Sequence, residues 1–234
     1  MEKDYKVIEI FGSIDGEGRR AGELTTFIRL SGCNLKCSWC DTNYSQDGKC
    51  GSMMSLEEIL NEVQKIGYRN ITVTGGEPLI HNKIDVLLAE LSKKDYDVNV
   101  ETNGSINPAP YIADDEHFKN VWFTIDYKSK SSGMQKAMKI ENFYTLRSKD
   151  VIKFVVGNRQ ELEDAFEIMG QLENYWNLYG SNGNTPPLVY FSPVFGMIEP
   201  VEIVDFMKEK GLSKFVRVQL QLHKIIWDPN KRGV

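Results

Sequence analysis

The 234-residue sequence predicts an α/β fold, a partial (incomplete) TIM-like barrel of parallel strands that forms a single domain over residues 1–234. Three observations carry this expectation. Short β-branched, apolar runs alternate with stretches of helical periodicity, the pattern of strand–helix units and a mostly parallel sheet. The chain falls short of the ~250 residues of a full eightfold barrel, and its first twenty residues lie outside the alternation. No repeat, low-complexity tract or linker divides it, and residues 180–187 (Gly-Ser-Asn-Gly-Asn-Thr-Pro-Pro) read as a surface loop between two elements.

The elements follow in order. Strands are expected at 25–30, 71–74, 98–101, 121–125, 151–156, 188–191 and 215–222, each an apolar, β-branched run. Ser55-Leu-Glu-Glu58 is a capping box that opens a helix to about residue 66, because the serine hydroxyl and the glutamate satisfy orphan amide donors. Ile84, Leu87, Leu88 and Leu91 recur at i, i+3, i+4 and i+7 on the next helix. Leu162, Phe166, Met169, Leu172 and Trp176 stripe a longer one. These stripes are core faces and take no cofactor role.

Polar motifs then fall just beyond strand ends, where such folds place active sites. They are Gly75-Gly-Glu-Pro78, Glu101-Thr-Asn-Gly104, Asp126-Tyr-Lys128, Ser192-Pro193 and, at the end of the last strand, His223. Five endings are expected to converge on one mouth.

Cys33, Cys37 and Cys40 form a Cys-x3-Cys-x2-Cys triplet, the most informative spacing in the chain. Three convergent thiolates leave a metal position open, whereas a structural zinc site closes with four protein ligands. A three-ligated [4Fe–4S] cluster exposes one iron to a small molecule. The bland readings are reduced thiols, or zinc with Cys50 as fourth ligand. Cys50 follows Cys40 by ten residues, a spacing that fits no common zinc pair. No secretion signal is read at the start and no apolar run approaches the ~18 residues of a membrane span, so a cytoplasmic location without membrane contact is expected. A net charge of −5 offers no basic field for a nucleic-acid backbone; a small-molecule substrate is the better expectation.

The triplet, followed after a strand by Gly75-Gly76-Glu77-Pro78, resembles the radical S-adenosylmethionine (SAM) superfamily. That resemblance implies a radical SAM type of barrel, with the cluster on the three cysteines and SAM on its exposed iron. The methionyl ammonium would meet Gly75, Gly76 and Glu77, where glycine lets backbone approach a ligand closely. Glu101, Asn103 and Ser129 would serve the ribose and methionine portions, although Asn103-Gly104 also reads as a plain turn. Lys128 and Lys153 would neutralise a carboxylate, or lie solvated at strand ends.

Phe11-Gly-Ser-Ile-Asp-Gly-Glu-Gly18, Phe27-Ile-Arg-Leu30, Gly32-Cys-Asn-Leu-Lys-Cys-Ser-Trp-Cys-Asp-Thr42 and Gln221-Leu-His-Lys-Ile-Ile-Trp227 together resemble the 7-carboxy-7-deazaguanine synthase family over almost the whole chain. The family implies ring contraction of 6-carboxy-5,6,7,8-tetrahydropterin to 7-carboxy-7-deazaguanine, with loss of ammonia, in queuosine and deazapurine biosynthesis. It implies substrate contacts by Ile14, Asp15, Gly16, Glu17, Arg29, Thr74 and His223, a Mg²⁺ ion on Thr42, and no catalytic residue beyond the cluster and SAM. A homodimer and a flavodoxin-like electron donor follow from the same resemblance. The family commonly has glutamine where this chain has Asp15, harmless if the backbone makes the contact there and unfavourable if the side chain does. Two other readings stay open. One is a radical SAM enzyme that installs a glycyl radical on a partner protein, and the other a non-catalytic zinc module on Cys33, Cys37, Cys40 and Cys50.

Overall fold

A computed structural model describes residues 2–114, 116–179 and 186–234. Nine strands are present among the described residues: β1 (Tyr5–Ile14), β2 (Leu24–Leu30), β3 (Ser52–Met54), β4 (Asn70–Gly75), β5 (Asp97–Thr102), β6 (Val121–Lys128), β7 (Val151–Val156), β8 (Leu188–Pro193) and β9 (Val216–Val218). They make one sheet in the order β3-β1-β2-β4-β5-β6-β7-β8-β9. From β2 to β9 every pairing is parallel, whereas β1 pairs antiparallel with β2 and β3. The sheet does not close on itself, as expected of a partial barrel.

The helices α1 (Leu56–Ile66), α2 (Ile84–Lys93), α3 (Ala109–Ala113), α4 (Arg159–Tyr179), α5 (Pro200–Glu209) and α6 (Leu222–Ile226) supply the crossovers and the final turn. The capping box forms: Ser55 Oγ accepts from Glu58 N at 3.2 Å, and Glu58 Oε2 accepts from Ser55 N at 2.7 Å. Gly67, at φ 82°, ends α1 in the left-handed conformation that glycine adopts without strain. Ile84, Leu87, Leu88 and Leu91 are buried against the parallel strands. Along α4, Leu162, Leu172 and Trp176 enter the core; Phe166 sits at the stripe's exposed margin, edge-on to Phe206. Along β4 and β5 the apolar residues Ile71, Val73, Val98 and Val100 enter the core, and they alternate with polar Thr72, Thr74, Asn99 and Glu101 on the other face.

The first twenty residues lie outside the strand–helix alternation, as expected, yet ten of them form β1, a strand absent from the expected set and paired antiparallel with β2. One expectation needs correction. The last strand spans only Val216–Val218 of the expected 215–222, and His223 lies on α6 rather than at a strand end. The cause is visible. Gly18 N donates to Gln219 Oε1 at 2.6 Å and Leu222 N to Gly16 O at 3.1 Å, so the chain after Gln219, whose own N still donates to Phe191 O of β8 at 2.9 Å, turns from the sheet edge onto the β1–β2 turn. Of the surface loop expected at 180–187, residues 180–185 lie outside the described residues.

Candidate active site

The carboxyl ends of the parallel strands open into a cavity of about 800 Å³. One wall is the cysteine loop. Gly32 N donates to Ser45 O at 2.6 Å and Cys33 N to Gln46 O at 3.1 Å, so the loop folds back on the turn that follows it. Its start is seated on the Gly75-Gly76 turn: Gly76 N donates to Leu30 O and Glu77 N to Gly32 O, at 3.2 and 2.8 Å. A Cβ on Gly75 would stand 2.1 Å from Leu30 O, and one on Gly76 2.1 Å from Gly32 O. Only glycine permits this backbone contact.

Cys33, Cys37 and Cys40 are half-buried free thiols lining the cavity. Burial pushes the Cys33 and Cys37 thiols up; for Cys37 the charge of Lys128 opposes this. Among the described residues no three Cys, His, Asp or Glu side chains close on a single ion, and Cys50 is exposed and away from the cavity. Three separate soft donors on one wall suit a multi-iron cluster, in which each cysteine serves its own iron. Thr42 Oγ1 lies 3.7 Å from Cys40 Sγ at the cavity's edge.

The floor is a network of charged strand ends. Lys153 Nζ on β7 contacts Glu17 Oε2 at 2.7 Å and Asp126 Oδ1 at 3.2 Å, and Lys128 Nζ contacts Asp126 Oδ2 at 2.8 Å. Burial alone would raise the Asp126 carboxyl, but the two lysines outweigh it and hold it below its ordinary value. Burial likewise opposes charge on Lys153, and Asp126, Glu17 and Glu101 overcome it and push its ammonium well above the ordinary value. Glu101 accepts from Thr74 Oγ1 at 2.8 Å; burial, only partly offset by Lys153, raises its carboxyl to about 7. Gln219 Nε2 also donates to Glu17 Oε2, at 3.1 Å, leaving Glu17 Oε1 without a protein partner among the described residues.

At the opposite side Arg29 donates through Nε to Glu9 Oε1 at 2.7 Å. Its terminal nitrogens have no protein partner among the described residues, so one edge of the guanidinium is available to a ligand. Phe11 and Phe27 stack beside it, ring centres 5.0 Å apart. Gly16 passes against His223, where a Cβ would stand 2.7 Å from Nδ1, and burial lowers that imidazole's basicity.

Most of the expected site residues meet in this cavity: Ile14, Asp15, Gly16, Glu17, Arg29, the three cysteines, Thr42, Thr74, Gly75, Gly76, Glu101, Asn103, Lys128 and His223 all line it. Two do not. Glu77 was expected to offer its carboxylate to an ammonium group. That carboxylate is fully buried and accepts from Leu79 N, Thr102 Oγ1 and Asn103 N at 2.7–3.0 Å, so it ties the ends of β4 and β5 together instead. Ser129 donates through Oγ to Val155 O at 2.9 Å and is outside the lining. Asp15 reaches the lining, yet its carboxylate turns to Arg20 at 3.4 Å and Thr72 Oγ1 at 3.2 Å; burial, against the pull of Arg20, raises it to about 6.

Sequence reasoning missed part of the rim. Tyr44 and residues 229–234 line the cavity, with the Arg232 guanidinium 3.8 Å over the Tyr44 ring. Residues 228–234, Asp-Pro-Asn-Lys-Arg-Gly-Val, show no strand or helix periodicity, so no pattern pointed to them.

Comparison with known proteins agrees with this geometry. The radical SAM superfamily profile matches residues 27–146, which contain the triplet and the Gly75-Gly76 turn. The 7-carboxy-7-deazaguanine synthase of Clostridium acetobutylicum is 44% identical over 234 residues, 99% of this chain and 100% of the relative. The 7-carboxy-7-deazaguanine synthase of Chlorobaculum tepidum is 33% identical over 100% of this chain and 99% of its own. The crystal structure of QueE from Escherichia coli shares the fold at a TM-score of 0.68 over 93% of both chains, with 23% identity. The likeness thus extends from β1 through the cysteine loop to the residues after β9, and on that full-length ground the chain belongs to the 7-carboxy-7-deazaguanine synthase family of the radical SAM superfamily.

Proposed function

We propose that the protein performs the radical ring contraction of 6-carboxy-5,6,7,8-tetrahydropterin to 7-carboxy-7-deazaguanine, releasing ammonia, in deazapurine biosynthesis. The observation that carries this reading is that three half-buried thiols and the free edge of Arg29 face one 800 Å³ cavity, within the size range of pockets that enclose small molecules. Cys33, Cys37 and Cys40 would hold a [4Fe–4S] cluster, which with SAM would supply radical hydrogen-abstraction chemistry beside the substrate.

The chain's own residues bind and orient. The two terminal nitrogens of Arg29 grip the substrate carboxylate with parallel hydrogen bonds, which a lysine cannot reproduce. Glu17 Oε1 accepts from the guanidine-like edge of the pterin, while Lys153 and Gln219 fix the other oxygen. Largely neutral at pH 7, His223 donates one hydrogen bond without adding charge. Phe11 and Phe27 present an apolar face to the bicyclic ring and keep water from it. Because the carboxylate of Asp15 is turned to Arg20, the contribution at position 15 is backbone, and the change from the family's glutamine is tolerated.

Thr42, at the cavity's edge, would offer a hard oxygen to a Mg²⁺ ion. Gly75, Gly76 and Asn103 serve SAM from the turn and strand ends beside Cys33. The proposal includes a homodimer, a flavodoxin-like electron donor and a cytoplasmic setting. Among the described residues no helix is long and apolar enough to cross a membrane.

The test is anaerobic turnover of reconstituted protein with SAM, Mg²⁺, dithionite and the carboxypterin, following product by absorbance and mass. Product from the wild type and none from Cys37→Ala is the expected result. SAM cleavage with the pterin untouched would overturn the substrate assignment.

A further inference from the structure

The cysteine loop has two attachments of different kinds. Its first half, around Cys33, sits on the Gly75-Gly76 turn by backbone contacts that belong to the SAM site. The second half, which carries Cys37 and Cys40, lies on a separate support, the turn at residues 129–132. Ser38 N donates to Ser132 O at 3.0 Å, Ser38 Oγ donates to Ser131 O, and Trp39 Nε1 donates to Ser131 Oγ at 3.0 Å. Lys36 N meets Met134 Sδ at 3.4 Å on the same segment.

Ser131 is held in turn by one carboxylate. Glu161, in the first turn of α4 and 3% exposed, accepts from Ser131 N through Oε1 at 2.5 Å and from Ser131 Oγ through Oε2 at 3.0 Å. Oε2 also accepts from Gly157 N at 2.7 Å, and Glu161 N donates to Asn158 Oδ1 at 3.1 Å. A Cβ on Gly157 would stand 3.2 Å from Ser131 Oγ and 2.9 Å from Met197 Cε, so the α4 entrance is pressed onto the turn. With Glu161 accepting, the Ser131 hydroxyl has spent its proton and its lone pair faces Trp39 Nε1. The carboxylate therefore sets the direction of the bond that fixes the residue between two of the three thiols.

We propose that Glu161 is a positioning residue for the iron–sulfur cluster, acting through Ser131 on the backbone of Ser38 and the indole of Trp39. This rests on the cluster reading of Cys33, Cys37 and Cys40. Partners bonded directly to metal ligands typically change metal affinity by about 10–100-fold when removed; Glu161, acting through Ser131 on the neighbours of Cys37 and Cys40, should have a smaller effect of the same sign. A carboxylate that merely capped α4 would lower stability without touching the cluster.

The experiment compares Glu161→Ala, Glu161→Gln and Ser131→Ala with Glu58→Ala, which removes a helix cap of the same kind far from the cavity. Each reconstituted protein is challenged anaerobically with an iron chelator, and the rate of iron loss, the cluster's reduction potential and the Tm are measured. Iron loss a few-fold faster in Glu161→Ala, about two- to fivefold and below the range of a group bonded to a ligand itself, with a shifted potential, is expected. Ser131→Ala should move in the same direction and Glu161→Gln should be intermediate, while Glu58→Ala lowers Tm alone. If Glu161→Ala does not fold, the Ser131→Ala and Glu161→Gln rates decide. Rates and potentials equal to those of the wild type across the Glu161 and Ser131 variants would overturn the proposal. A wild type that takes up no iron would overturn the cluster reading itself.

Discussion

At the floor of the cavity, Lys153, Asp126, Lys128 and Glu17 hold one another across strand ends, each ion paired before any ligand enters. At the rim, Arg232 lies over Tyr44 by a single stacking contact, and Arg29 keeps one edge of its guanidinium free. The difference separates two tasks. Floor charges are paired with one another and hold the shape of the site, with Glu17 Oε1 left over among them, while at the rim Arg29 keeps a whole guanidinium edge for a ligand to complete.

Asp126→Asn should have the largest effect on the folded state, because it leaves Lys128 and Lys153 buried with one acceptor fewer. A loss of about 3–5 kcal/mol is expected in denaturant unfolding; a loss below 1 kcal/mol would mean that the floor is solvated and the contrast with the rim is false. Arg29→Lys tests the rim. It should leave Tm close to that of the wild type and raise KM for the carboxypterin about tenfold, the scale of a lost charge-assisted hydrogen bond.

A third prediction sharpens the floor by pH. Burial raises the Glu101 carboxyl from 4.5 to about 7, so the native state binds its proton more tightly than the unfolded chain does. The resulting stabilisation is complete below about pH 4.5 and is lost as pH rises through about 7. Tm should fall across that interval, and Glu101→Gln should flatten the fall. The smallest effect is expected from Arg232→Ala, which removes about 0.5–1 kcal/mol of exposed cation–π contact with Tyr44 and should appear as a small fall in Tm.

How much of this was legible in the sequence divides along the same line. Strands β4 to β7 and their polar endings were readable because short β-branched runs separated by helical periodicity mark strand–helix units, and function follows at the strand ends. Glu77 was misjudged because a carboxylate after Gly-Gly reads the same whether it faces a ligand or folds inward onto Leu79, Thr102 and Asn103. The short β9 and His223 on α6 were misplaced because the decisive contacts reach back about 200 residues to Gly16 and Gly18. Glu161 carried no motif, as its importance comes from Ser131 and Trp39, which only the fold brings near.

The contacts of Gly16 with Leu222 and of Gly18 with Gln219 join the first turn of the chain to its last helix without a strand ladder. These two hydrogen bonds, with the Glu17–Lys153 pair beside them, seat His223 in the cavity wall, so one site residue is placed by polar contacts between the two ends of the chain rather than by the sheet.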